Sequence, residues 1–88
     1  MRDEEIMDRL LGILQELAPE ADVRQLNPDV RLRDQLDIDS MDLLNFVIAV
    51  DEKLGVDIPE RDYAKLRTLN DCVRYLQAQM AEPDQRAV

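Results

Sequence analysis

An 88-residue chain with 45% hydrophobic side chains has material for one small domain with a modest core, and is too apolar for a disordered segment despite 35% charged residues. Its 20 acidic and 11 basic side chains give a net charge of −9, which disfavours nucleic acid and anionic membrane and favours basic protein partners met in steered encounters. There is no histidine and a single cysteine, so the usual base for a serine or cysteine nucleophile, the commonest zinc ligand and an intrachain disulfide are all excluded.

Glycines and aromatics are few, while Leu, Ile, Ala, Met, Gln, Glu and Arg are plentiful, which favours helices over sheets. The start, Met1-Arg2-Asp3-Glu4-Glu5, is acidic where a signal peptide would be basic, and no apolar run could span a bilayer. Cytoplasmic residence without membrane insertion is the default expectation.

Residues 3–17 read as a first helix. Asp3, Glu4 and Glu5 suit its positive end. Ile6, Leu10, Ile13 and Leu17 form a helical stripe, widened by Met7, Leu11 and Leu14, and Pro19 closes it. Residues 18–38 read as a long connection with a turn at Asn27-Pro28-Asp29 and room for a short helical turn around 33–36. Such a loop is unusual in so small a domain, so Val30, Leu32, Leu36 and Ile38 are expected to pin it across the helices.

The second helix runs from Met41 to Leu54, stopped by Gly55. Asp39 and Ser40 before it are both good N-cap residues. If Asp39 is the cap, Ser40 falls at the first helical position with its hydroxyl in solvent, where unpaired N–H groups and the helix dipole would stabilise a phosphate. If Ser40 is the cap, nothing more need be said of it. At about 100° per residue, Leu43, Phe46, Val47, Val50 and Leu54 share the core side, with Leu44 at its edge. Met41, Asn45, Ile48 and Glu52 form the opposite ridge, flanked by Asp42 and Asp51. Two apolar side chains framed by acids, starting beside Ser40, suit docking of a basic partner.

Val56 and Ile58 continue the core. Pro59 and Glu60 open a short third helix to about Leu66, with Tyr63 and Leu66 inward. Arg61, Lys65 and Arg67 make this region locally basic. Thr68 caps a last helix, with Asp71 completing a weak capping box, and Leu69, Cys72, Val73, Leu76 and Met80 form its buried stripe. Cys72 in that stripe reads as a structural thiol. The expected architecture is all-α: a bundle of three longer helices and one short one, in a single domain over residues 1–82, followed by a flexible tail at 83–88.

Hydrolytic chemistry has little support. Ser40 lacks a histidine and a G-x-S-x-G setting. A calcium loop starting at Asp37-x-Asp39 fails at its sixth position, Asp42, and its twelfth, Ile48. An acidic helical adaptor docking through the second helix would explain the ridge and the charge, but not the Asp-Ser pair where the ridge begins.

Asp39-Ser40-Met41 resembles the Asp-Ser-Leu signature of the acyl carrier protein family. The resemblance extends through Asp51-Glu52-Lys53-Leu54-Gly55, the Val56-Asp57-Ile58-Pro59 link, and the Thr68-Leu69 start of a last helix ending in Val73-Arg74-Tyr75-Leu76. It implies that a phosphopantetheinyl transferase attaches 4'-phosphopantetheine to Ser40 and that the arm's thiol carries acyl groups as thioesters. The chain would then be a carrier and not an enzyme. Asp39 would help position the metal during attachment. Met41, Asp42, Asn45, Ile48, Asp51 and Glu52 would meet partners, namely acyl-transfer and acyl-modifying enzymes with basic docking patches. Phe46, Val47, Ile58, Tyr63 and Leu66 would line an acyl pocket, or simply pack as core. A monomer is expected. The chain departs from the family pattern at Asp37, where Gly is common, at Met41 in place of Leu, and at Asn45, where fatty-acid carriers have an acid. A fatty-acid role, a polyketide-like or other dedicated pathway, and a peptidyl or aminoacyl carrier all stay open.

Overall fold

The computed structural model describes residues 2–81, which form an all-helical bundle with no strand among them. Helix α1 spans Asp3–Leu17, a one-turn helix α2 Leu32–Gln35, α3 Ser40–Leu54 and α4 Leu69–Ala81. Two 3-10 helices, Val23–Gln25 and Glu60–Lys65, complete the order. The tail expected at 83–88 lies outside the described residues.

The apolar stripe of α1 explains its central place. Ile6, Leu10, Ile13 and Leu14 are at most 1% exposed, and α1 packs against both α3 and α4. Phe46, Val47 and Val50 of α3 and Leu69, Cys72, Val73 and Leu76 of α4 complete one buried cluster. Met80, expected in the α4 stripe, is half-buried at its edge. Thr68 Oγ1 accepts from the Asp71 N–H at 3.0 Å, the cap anticipated there.

The long connection is better ordered than its sequence suggested. Val23, Leu32 and Leu36 are buried in the common core, whereas Val30, expected to help pin the loop, is exposed. Polar bonds do the work that Val30 does not. Gln35 Nε2 donates to the carbonyls of Asn27 and Val30, both at 2.9 Å, and its Oε1 accepts from the Asn27 N–H at 2.7 Å. The Asn70 N–H donates to the Pro28 carbonyl at 3.1 Å, and the Leu32 N–H to the Arg67 carbonyl at 2.9 Å. These last two bonds lash the loop to the segment entering α4, so buried backbone groups of the loop find partners.

The expected third helix, from Pro59 to about Leu66, is the 3-10 helix Glu60–Lys65. It buries none of its own side chains fully: Tyr63 is half-buried, and its anchors are Ile58 before it and Leu66 after it. A short segment held by its ends has too little packing to favour the longer α geometry.

Candidate functional site

Asp39 has extended backbone (φ −114°, ψ −170°) and is the N-cap of α3. Its Oδ1 accepts from the Asp42 N–H at 3.0 Å, and Asp42 Oδ2 accepts from the Asp39 N–H at 3.2 Å. Two aspartates thus close a reciprocal capping box, the role usually taken by Ser or Thr with Glu. Ser40 is released from capping. It is exposed at the first helical position, and its hydroxyl makes no hydrogen bond among the described residues. The backbone N–H groups of Ser40 and Met41 also lack a partner there. An exposed hydroxyl beside two open N–H groups at a helix N-terminus suits a phosphate ester.

The ridge along α3 is present as its spacing predicts. Met41 is 63% exposed and Ile48 46%, and Asn45, Asp51 and Glu52 are exposed with them. Asp42 is half-buried, because its carboxylate is turned back to the cap. Leu44, read as the edge of the core, is exposed at 39% and joins the ridge. The angle was available: Leu44 lies about 60° from Met41, closer to the ridge than to the centre of the core face.

A cavity of about 240 Å³ opens beside Asp39. Leu32, Ile38, Leu43, Tyr63, Ala64 and Leu66 supply its apolar wall, and Arg31, Arg33, Arg67 and Asp39 its polar positions. Of the five residues named from sequence as pocket lining, Tyr63 and Leu66 are there. Phe46, Val47 and Ile58 are buried in the core and do not line this cavity. Sequence reasoning missed Leu43, read only as core on α3, and Leu32, Ile38 and Ala64, which come from the one-turn helix α2, the loop after it and the 3-10 helix, segments too short for a helical period to assign a facing direction. The arginines were missed because charge alone does not say which cavity a side chain borders. Cys72 lies away from this site in the core, where burial, reinforced by the charge of Asp71, pushes its thiol up to about 12. No cluster of metal-ligating side chains occurs among the described residues.

The site is thus a small helical bundle's exposed serine at the head of one helix, beside an apolar cavity and an exposed ridge. The sequence profile of the family described as "Phosphopantetheine attachment site" matches residues 8–76. The chain is 36% identical over 77 residues to the acyl carrier protein of Thermobifida fusca, covering 85% of this chain and 94% of that one. It is 39% identical over 75 residues to the acyl carrier protein of Acidothermus cellulolyticus, covering 83% and 86%. It is 36% identical over 74 residues to the meromycolate extension acyl carrier protein of Mycolicibacterium smegmatis, covering 84% and 74%. The chain belongs to the acyl carrier protein family. It is accordingly a carrier of acyl groups in fatty-acid and lipid biosynthesis and not an enzyme; its cofactor is phosphopantetheine, and a phosphopantetheinyl transferase and acyl-handling enzymes are its partners. No helix among the described residues is long and apolar enough to cross a membrane.

Proposed function

We propose that Ser40 is the attachment point of 4'-phosphopantetheine, and that the chain offers the loaded arm to its partners along the Met41–Glu52 ridge. The observation that carries this is the Asp39–Asp42 capping box, which leaves the Ser40 hydroxyl exposed and uncommitted. When bound, the group supplies a flexible arm ending in a thiol that holds acyl cargo as a thioester. The chain itself contributes three things. The first turn of α3 sets the Ser40 hydroxyl outward, with open N–H groups beside it for a phosphodiester oxygen. Asp39, exposed and adjacent, is the carboxylate that would place the transferase's divalent metal during attachment. Met41, Leu44 and Ile48 give a partner apolar contact, while Asp51 and Glu52 supply acids that attract a basic docking patch. The cavity lined by Leu43, Tyr63 and Leu66 would shelter the cargo's first carbons.

The carrier domain extends over residues 1–82 and acts as a cytoplasmic monomer. Its one continuous core supports the single domain. Incubation with coenzyme A and a broad-specificity phosphopantetheinyl transferase tests the attachment. The wild-type chain gains the mass of one phosphopantetheine and Ser40→Ala gains none. An unchanged wild-type mass would defeat the proposal and favour an unmodified adaptor docking through α3.

A further inference from the structure

The cavity beside Asp39 has a charge that sheltering hydrocarbon does not use. Three arginines and one acid line it, in a chain whose acids outnumber its bases 20 to 11. Two of these four charges are already engaged. Arg31 Nε contacts Asp34 Oδ2 at 3.1 Å, and Asp39 caps α3. Arg33 and Arg67 have no ion pair among the described residues. Their proximity is built into the backbone. The Leu32 N–H donates to the Arg67 carbonyl at 2.9 Å, and the side chains of Leu32 and Leu66, each next in sequence to one of the arginines, are buried at 4% and 6% exposure. The backbones of Arg33 and Arg67 are thus held close together, and both residues line the same apolar space.

We propose that this cavity receives a short acyl group ending in a carboxylate, with Arg33 and Arg67 binding the carboxylate and Leu43, Ala64 and Leu66 against the methylenes. The proposal rests on Ser40 carrying the arm. A guanidinium fork matches a carboxylate with two parallel hydrogen bonds, which gives both attraction and orientation. The volume sets the length. A space of about 240 Å³ compares with the ~150 Å³ cavity that takes up one benzene, so a chain of a few carbons fills it. The anion is assigned to the cargo's far end, not to the phosphodiester at its root, because Ser40 is not among the lining residues while the arginines border the same space as Leu43 and Leu66.

Apo protein is loaded by a broad-specificity transferase in three forms, from coenzyme A, butyryl-coenzyme A and succinyl-coenzyme A. Intact mass verifies each form, and nitrogen–proton correlation spectra that include arginine Nε–H groups are recorded. Both acyl forms are expected to shift the amides of Leu43, Ala64 and Leu66 relative to the bare arm. Only the succinyl form shifts the Nε–H signals of Arg33 and Arg67. In the Arg33→Gln/Arg67→Gln variant the succinyl and butyryl forms become alike at Ala64 and Leu66. Arginine signals that coincide in the butyryl and succinyl forms overturn the proposal. So do arginine shifts already complete with the bare arm, which would assign the pair to the phosphodiester. Failure of the wild type to gain mass overturns the Ser40 assignment together with this one, whereas successful loading with unmoved arginines overturns this one alone.

Discussion

The Tyr75 hydroxyl donates to Asp62 Oδ2 at 2.6 Å, joining α4 to the 3-10 helix Glu60–Lys65. That helix buries none of its side chains fully, yet Tyr63 and Ala64 on it wall the cavity beside Asp39. The position of the wall therefore depends on a few tethers, of which this bond is one and the buried Leu66 another.

The same bond gives a pH prediction. The Tyr75 hydroxyl, helped by Lys65 at 3.3 Å, holds the Asp62 carboxyl below its usual 3.8 against an opposing effect of desolvation. A folded-state value below the unfolded one means that the stabilisation is present above about pH 4 and is lost as pH falls through the depressed value. Tyr75→Phe should move the Asp62 titration midpoint upward, toward 3.8, and flatten the acid limb of the stability profile. Carboxyl titration by carbon NMR, with thermal unfolding from neutral pH down to about pH 3, checks both; unchanged midpoints in the variant would show that the bond does not form in solution.

Capping and attachment are separable in this site. Asp39→Ala removes the acceptor of the Asp42 N–H and should cost about 0.5–2 kcal/mol of unfolding free energy. Ser40→Ala removes a hydroxyl with no bond among the described residues, and should stay within about 0.5 kcal/mol of wild type. Urea unfolding of the two variants decides. A larger loss for Ser40→Ala would make the serine the cap and remove the argument for its free hydroxyl.

Much of this was legible in the residues. The periodic stripes of α1 and α4 and the Asp39–Ser40 boundary follow from local rules, since caps and helical faces are set within a turn or two of chain. The connection was harder. Val30 and Leu32 look alike in sequence, but only Leu32 is buried, because the loop's path is set by bonds to Arg67 and Asn70, far along the chain. The cavity was harder still. Phe46 and Val47 were reasonable lining candidates on a helix face, yet only Leu43 of α3 lines the cavity, and the rest comes from α2, the 3-10 helix and the residues flanking them. Which apolar residues border a void depends on how elements meet, and no single segment encodes that.

Cys72 provides a probe of the core. The folded chain keeps its thiol protonated up to about 12, against 9.0 for an unburied thiol. Folded protein therefore binds the proton over a range in which unfolded protein has released it, so this contribution to stability is full below about pH 9 and declines as pH rises toward 12. At neutral pH, iodoacetamide should leave the native chain unmodified and alkylate it fully in denaturant. Rapid native alkylation would mean that α4 opens readily.

Gly55 ends α3 in the left-handed region (φ 71°), and a Cβ there would meet nothing within 4 Å. Gly55→Ala should thus carry only the backbone penalty, about 1–2 kcal/mol, with no steric addition. Chemical denaturation of the variant measures it. A loss well beyond that range would require a packing change that the open surroundings do not predict.

Ile48 and Leu10 have comparable side chains in opposite settings, 46% and 0% exposed. Leu10→Ala empties a site in the centre of the core and should cost about 2–5 kcal/mol. Ile48→Ala removes an exposed side chain and should change stability by no more than about 0.5 kcal/mol. If the α3 ridge is the docking surface, the functional order is reversed. Ile48→Ala, and charge reversal at Glu52, should slow turnover by an acyl-handling enzyme while leaving the helical circular dichroism signal intact. Raised salt should weaken docking further by screening the acids. The same enzyme assayed with each loaded variant, beside an unfolding curve for each, separates the two effects. A stability loss for Ile48→Ala as large as that for Leu10→Ala would place Ile48 in the core, and unchanged turnover in both ridge variants would move the docking surface elsewhere.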